Sequence, residues 1–148
     1  MKLMAAGDQV LVAEFGDRID EAVNDQVHAL AAKIEEQQIP GIGEVVPTFR
    51  SLLIYYDSYQ LSYREAAGKI EELARNLKTE QKTKKRILKI PCCYGARFGP
   101  DLADMEQLTG LDRKEMIDIH SSVDYKVYML GFLPGFAYLG GLDERIHT

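Results

Sequence analysis

The sequence has little cysteine: among 148 residues only Cys92 and Cys93 carry thiols, and they are adjacent. Two neighbouring thiols cannot build the disulfide framework that braces small secreted domains, and they fit a reducing compartment. Histidine is also sparse. His28, His120 and His147 are scattered singly, so no cluster has zinc-ligand spacing and no metal is expected. Positive charge is in deficit, with 18 Lys plus Arg against 23 Asp plus Glu and a formal net charge of −5. That balance leaves no general field to attract a nucleic-acid backbone. Long apolar runs are missing too. The longest uncharged stretch, Val127 to Leu142, has 16 residues including one proline and four glycines, too short and too broken for a spanning helix. At the start, Gly7 and Asp8 interrupt MKLMAAGDQVLVAEFG before an export signal's apolar core could form. Neither nucleic acid nor a membrane is expected as a partner, and the expected location is cytoplasmic.

What is present has globular character, with 46% hydrophobic and 28% charged residues. A chain of this size has room for one ordinary domain or two very small ones, and buries roughly 70% of its unfolded surface. Gln9 to Phe15 reads as a half-buried strand, with Val10, Val12 and Phe15 as its alternating apolar set. Asp20 is placed to cap a helix whose apolar stripe is Ala22, Val23, Val27, Leu30, Ala31 and Ile34, stopped by Pro40-Gly41. Glu44 to Thr48 and Ser51 to Asp57 then read as a β-hairpin. Ser62 opens a second helix with Glu65 at capping-box spacing, and Ala66, Ala67, Ile70, Leu73, Ala74 and Leu77 form its apolar face.

Ile87 to Tyr94 (ILKIPCCY) resumes as a strand, giving the order strand, helix, strand, strand, helix, strand. Two helices with one apolar stripe each pack naturally on one face of an antiparallel sheet, so a two-layer α+β unit is expected. Charge rises and apolar periodicity vanishes over Lys78 to Arg86, which predicts a linker between an α+β domain at 1–80 and a second region at 87–148. In that region Asp101 to Leu108 and Asp112 to His120 read as short helices, and Tyr125 to Phe132 as a strand. Pro134-Gly135 and Gly140-Gly141 are expected to exclude any regular element beyond it. Phe132, Phe136 and Tyr138 then lack strands to cover them, so the second region reads as incomplete.

Few residues carry chemical suggestion. The cluster Lys82, Lys84, Lys85 and Arg86 lacks interleaved aromatics and reads as a solvated linker. Strand alternation would bury one thiol of Cys92-Cys93 and expose the other, with no His or Arg within three positions to activate either. His28 falls one step off the first helix's apolar face and reads as a boundary residue. His120 stands at a helix end before Ser121-Ser122, where it could carry a proton or simply complement the helix dipole. The glycines of LGFLPGFAYLGG match neither G-x-x-x-x-G-K-[ST] nor G-x-G-x-x-G, so no phosphate loop is expected. The aromatics around Pro134-Gly135 could wall a small pocket, although composition favours a core role.

The blocks PCCYG (Pro91 to Gly95), FGPDL (Phe98 to Leu102), His120-Ser121 and YMLGFLPGFAYLGGL (Tyr128 to Leu142) resemble the allophanate hydrolase subunit 1 family. GDQVLVAEFG and VPTFRSLLIYYD (Val46 to Asp57) extend the likeness over nearly the whole chain. That family includes the B subunit of bacterial 5-oxoprolinase and the sporulation-kinase inhibitor KipI. The resemblance implies a small α+β amino-terminal domain followed by a cyclophilin-like β-barrel, of which this chain holds the first part. It also implies a subunit that works with the A and C subunits of 5-oxoprolinase to convert 5-oxoproline to glutamate, inactive alone. ATP is used by the complex, and no cofactor is bound by this chain. His120 is implied as the catalytic group, and Gly131, Phe132, Pro134, Gly135 and Phe136 as substrate contacts. Two alternatives stay open on the same residues: an inhibitor that docks on a histidine kinase, and a component of allophanate hydrolase.

Overall fold

A computed structural model describes residues 1–77 and 86–148 of the chain. The predicted linker, with Lys82, Lys84 and Lys85, lies outside the described residues apart from Arg86. The chain divides into two compact units, Met1–Thr83 with Tyr128–Phe136, and Lys84–Val127 with Ala137–Thr148.

The first unit is built on strands β1 (Lys2–Ala5), β2 (Val10–Glu14), β3 (Ile42–Pro47) and β4 (Ser51–Tyr56). They form an antiparallel sheet in the order β1-β2-β4-β3, with Leu11 opposite Ile54 and Val46 opposite Leu53. One face of the two central strands buries Leu11, Ala13, Leu52, Ile54 and Tyr56. Helices α1 (Glu21–Gln37) and α2 (Tyr63–Arg75) complete the core with Val27, Leu30, Ala31, Ile34, Ala66 and Ile70. The result is the expected α+β arrangement of two helices against an antiparallel sheet.

Local chemistry explains where the helices begin and end. Asp20 Oδ1 accepts from the amides of Ala22 at 2.8 Å and Val23 at 3.1 Å, satisfying donors that the first turn would leave orphaned. The helix closes at Gln38, which turns left-handed at φ 42 just before Pro40. On α2 the capping box is complete, since Ser62 Oγ accepts from the Glu65 amide and the Ser62 amide donates to Glu65 Oε2 at 2.8 Å.

Three expectations need correcting. The order is strand, strand, helix, strand, strand, helix, because β1 adds a strand that the sequence does not announce; four residues with only Leu3 and Met4 half-buried give too short a period to recognise. Ile87 to Tyr94 is not a strand. A strand exists only through its ladder, and among the described residues nothing pairs with this segment, so Ile87, Leu88 and Ile90 stand exposed. In β2 the fully buried residues are Leu11 and Ala13, while Val10 and Val12 are only half-buried, because both helices cover the opposite face.

The second unit holds helices α3 (Leu102–Thr109) and α4 (Arg113–Ser121), as expected, with 3-10 turns at Ala96–Phe98 and Glu144–Ile146. Leu102, Met116, Ile119 and Ile146 form a small core rimmed by Tyr94, Met105 and Leu111. Gly110 ends α3 at φ 73, and Asp112 caps α4 by accepting from the Glu115 amide at 2.8 Å. Gly99 is required sterically: a Cβ there would stand 2.6 Å from the Tyr94 carbonyl oxygen and from Leu102 Cδ1. The predicted strand at 125–132 is present as β5 (Lys126–Leu130). Beyond it, β6 (Ala137–Gly140) fits between the two glycine-bearing turns, where no regular element is expected from the sequence. Among the described residues no helix is long and apolar enough to cross a membrane.

Candidate functional site

Helix α4 delivers His120 in its last turn. Tyr94 O–H stands 2.5 Å from His120 Nδ1, and the two rings meet edge to face with centroids 5.7 Å apart. On the other side Tyr125 donates its hydroxyl to the His120 carbonyl at 3.0 Å, satisfying one of the helix's terminal acceptors, with its ring 5.3 Å from the imidazole. Burial pushes the Tyr94 phenol up, with a hydrogen bond to Cys92 adding to it. Burial also raises Tyr125, helped by the negative charge of Asp143. One hydrogen lies between the phenol oxygen and Nδ1: where the phenol donates it the imidazole N–H is Nε2–H, and where Nδ1 donates it Nε2 is an acceptor. Either way the ring is held in one orientation by Tyr94 and Tyr125, with Nε2 left to hand on or receive a proton.

Asp143 itself is held down to about 2, first by the side-chain hydrogen bond from Arg145 and then by the Arg145 backbone amide. Cys92 and Cys93, by contrast, are both exposed and unbridged. The expected division into one buried and one exposed thiol fails because the strand that would impose it is absent.

The segment Gly131 to Phe136 folds into a double turn held by main-chain bonds. The Phe136 amide donates to the Leu133 carbonyl at 3.0 Å, with Pro134 presetting the bend and Gly135 supplying φ 78, which is type II turn chemistry. The Leu133 amide donates to the Gly131 carbonyl at 2.8 Å around Phe132, whose φ is 64. A γ-turn of that hand is strained for a bulky residue, and such strain persists only where neighbouring structure imposes it. The Gly131 amide closes the loop on the Phe136 carbonyl at 3.0 Å. Phe132 is 85% exposed, and its ring meets that of Phe136 edge to face with centroids 6.0 Å apart. Pro134, Gly135 and Phe136 are exposed and Gly131 half-buried, so these aromatics are not the core residues that composition favours.

His120 belongs to the second unit and the Gly131–Phe136 loop to the first. A shallow groove of about 400 Å³ in the first unit, lined by residues that include Gly41, Gly43, Tyr55, Asp57 and Gln60, contains none of the predicted site residues.

Sequence reasoning missed Asn24. It is fully buried on α1, and its Nδ2 lies 3.0 Å from the Thr48 carbonyl, 3.2 Å from that of Phe49 and 3.2 Å from that of Tyr128. One turn further on, His28 Nε2–H donates to the same Tyr128 oxygen at 3.0 Å, since a carbonyl can only accept. The Tyr128 and Phe49 rings are 5.4 Å apart. A signal was available: Asn24 falls three residues before Val27 and seven before Ala31, on the buried stripe itself.

The whole chain, residues 1–148, matches the family model of the carboxyltransferase domain, subdomain C and D. The chain belongs to that family. Its relatives include the B subunit of 5-oxoprolinase from Bacillus subtilis (strain 168), 41% identical over 150 residues that cover 95% of this chain and 62% of the relative. The corresponding 5-oxoprolinase B subunit of Escherichia coli O157:H7 is 32% identical over 145 residues, covering 96% and 64% respectively. The chain thus spans a little under two thirds of the length of these curated relatives. Among solved structures, TTHA0988 superimposes with a TM-score of 0.78 at 28% identity, covering 93% of this chain and 26% of that one. The resemblance to the family that holds the 5-oxoprolinase B subunit is therefore shown.

Proposed function

We propose that this carboxyltransferase-family chain serves as the B-type subunit of an ATP-dependent 5-oxoprolinase complex, which opens the lactam of 5-oxoproline to glutamate. The observation that supports this most is the 41% identity to the Bacillus subtilis 5-oxoprolinase B subunit across 95% of the chain. In this reading residues 1–80 are the α+β domain, and 87–148 are the first part of a cyclophilin-like β-barrel. The protein works in the cytoplasm with A and C subunits. In this reading ATP is used by the complex and bound by the partners.

Opening a lactam breaks a C–N bond, adds the oxygen of water to the carbonyl carbon and requires a proton for the departing nitrogen. His120, oriented by Tyr94, is the group on this chain suited to move that proton through Nε2. The exposed edges of Phe132 and Phe136, on a loop bent by Pro134 and Gly135, suit the apolar ring edge of the substrate. Their role is positioning.

The test is a coupled assay of 5-oxoproline-dependent ATP hydrolysis in the reconstituted complex, with and without the full-length form of this subunit. Activity should vanish when the subunit is omitted. His120→Ala should lower turnover by roughly 100-fold or more while the complex still assembles on gel filtration. Turnover that is indifferent to the subunit refutes the assignment, and turnover indifferent to His120→Ala removes that residue from the chemistry.

A further inference from the structure

We propose that Asn24, seconded by His28, is a positioning residue that fixes the base of the Gly131–Phe136 loop for substrate. This rests on the reading that the loop contacts 5-oxoproline. Asn24 is an anomaly, a fully buried amide on a helix stripe otherwise made of Val27, Leu30, Ala31 and Ile34. Burying an amide is costly unless its hydrogen bonds are made. The two hydrogens on Asn24 Nδ2 are shared among the carbonyls of Thr48, Phe49 and Tyr128, and among the described residues Oδ1 has no partner at all. The reverse amide orientation is excluded, because it would turn Oδ1 onto three other acceptors. An apolar side chain of the same shape would spare Oδ1 but strip the Thr48, Phe49 and Tyr128 carbonyls of this donor, so what holds the asparagine in place is the set of carbonyls it gathers.

What the amide does accomplish is convergence. Asn24 and His28, one helical turn apart, both donate to the Tyr128 oxygen, at 3.2 and 3.0 Å. A carbonyl oxygen has two lone pairs, and here both are engaged from one rigid helix face. Asn24 also holds the carbonyl of Phe49, whose ring lies against that of Tyr128. Tyr128 stands three residues before Gly131, where the strained double turn begins. Its main chain and its ring are therefore both indexed to α1, and the loop leaves from a fixed point.

The experiment is hydrogen exchange on the full-length protein, followed by kinetics in the reconstituted complex. Asn24→Leu should accelerate exchange of the Gly131 and Phe136 amides roughly tenfold, the size expected from losing bonds to a buried carbonyl, while α2 and β4 keep their protection. His28→Ala, at an exposed position that does not threaten folding, should act in the same direction more weakly, and His28→Gln, which keeps a donor, should restore protection. In the complex, Asn24→Leu should raise KM for 5-oxoproline about tenfold with kcat within a factor of about two, the signature of lost positioning rather than lost chemistry. Unchanged exchange across 128–136 in both variants, or loosening spread evenly through the first unit, overturns the proposal. So does a loosened loop with unaltered KM and kcat. A wild-type complex inactive on 5-oxoproline sinks the proposed function instead, and the exchange data still decide whether Asn24 positions the loop.

Discussion

Asp143 and Arg145, two residues apart on a 3-10 turn, hold each other through three bonds: the Arg145 amide and Nε reach Oδ1 at 2.9 and 3.0 Å, and Nη2 reaches Oδ2 at 2.8 Å. The carboxyl is accordingly lowered to about 2. A lowered carboxylate pKa means that the bridge's contribution is complete above the ordinary value of 3.8 and disappears as pH falls toward about 2. A carbon-13 NMR titration of the Asp143 carboxyl should show a midpoint near that lower value, and Arg145→Gln should return it toward 3.8. A wild-type midpoint at 3.8 would mean that the bridge does not persist in solution. At this scale the sequence is legible wherever the interaction is local. Asp20, Ser62 and Asp112 are recognisable as caps because their partners lie two or three residues away. The contacts of His120 with Tyr94, and of Asn24 with Tyr128, span 26 and 104 residues. No local pattern encodes those distances.

Among the elements, the helices follow from their stripes and caps, and the β3–β4 hairpin from its β-branched run. Strands are harder because each needs a partner that the local sequence does not name. Thus β1 escapes notice and the Ile87 to Tyr94 segment looks like a strand without being one, its Ile87, Leu88 and Ile90 giving the strand-like signal and Pro91 the contrary one. The Pro134-Gly135 turn is legible as a break, but not the two-step fold around Phe132, whose positive φ is foreign to phenylalanine. The capping box of α2 gives a test on this scale. Ser62→Ala should cost about 1 kcal/mol, read as a lowered urea midpoint with an unchanged slope. The hydrogen bonds from Ser62 also lower the Glu65 pKa, so the box contributes fully above the ordinary glutamate value and weakens as pH falls below it. The difference between Ser62→Ala and wild type should therefore narrow at acid pH. A gap that stays constant would assign the cost to the bond from the Glu65 amide to Ser62 Oγ, which does not titrate.

For the whole molecule, the two-helix-on-sheet plan of the first unit is readable from amphipathic patterns, while the division of the described residues into units, with Tyr128–Phe136 grouped beside the amino-terminal elements, is not. The core of that unit is dominated by fully buried aliphatic side chains from two strands and two helices. Ile54→Ala, at the centre of β4, should destabilise the protein by about 2–5 kcal/mol in chemical denaturation, the usual range for a buried isoleucine truncated without collapse of the site. A loss below about 1 kcal/mol would mean that neighbouring side chains fill the void. The strand order has a consequence of its own. Its central pair, β2 and β4, joins Leu11 to Ile54 across the whole of α1 and β3. During synthesis, therefore, nothing emerging from the ribosome before Ser51 can complete this sheet. The nascent chain carries a lone hairpin and an amphipathic helix with its apolar side uncovered, and folding waits until a single late strand arrives to bind them all.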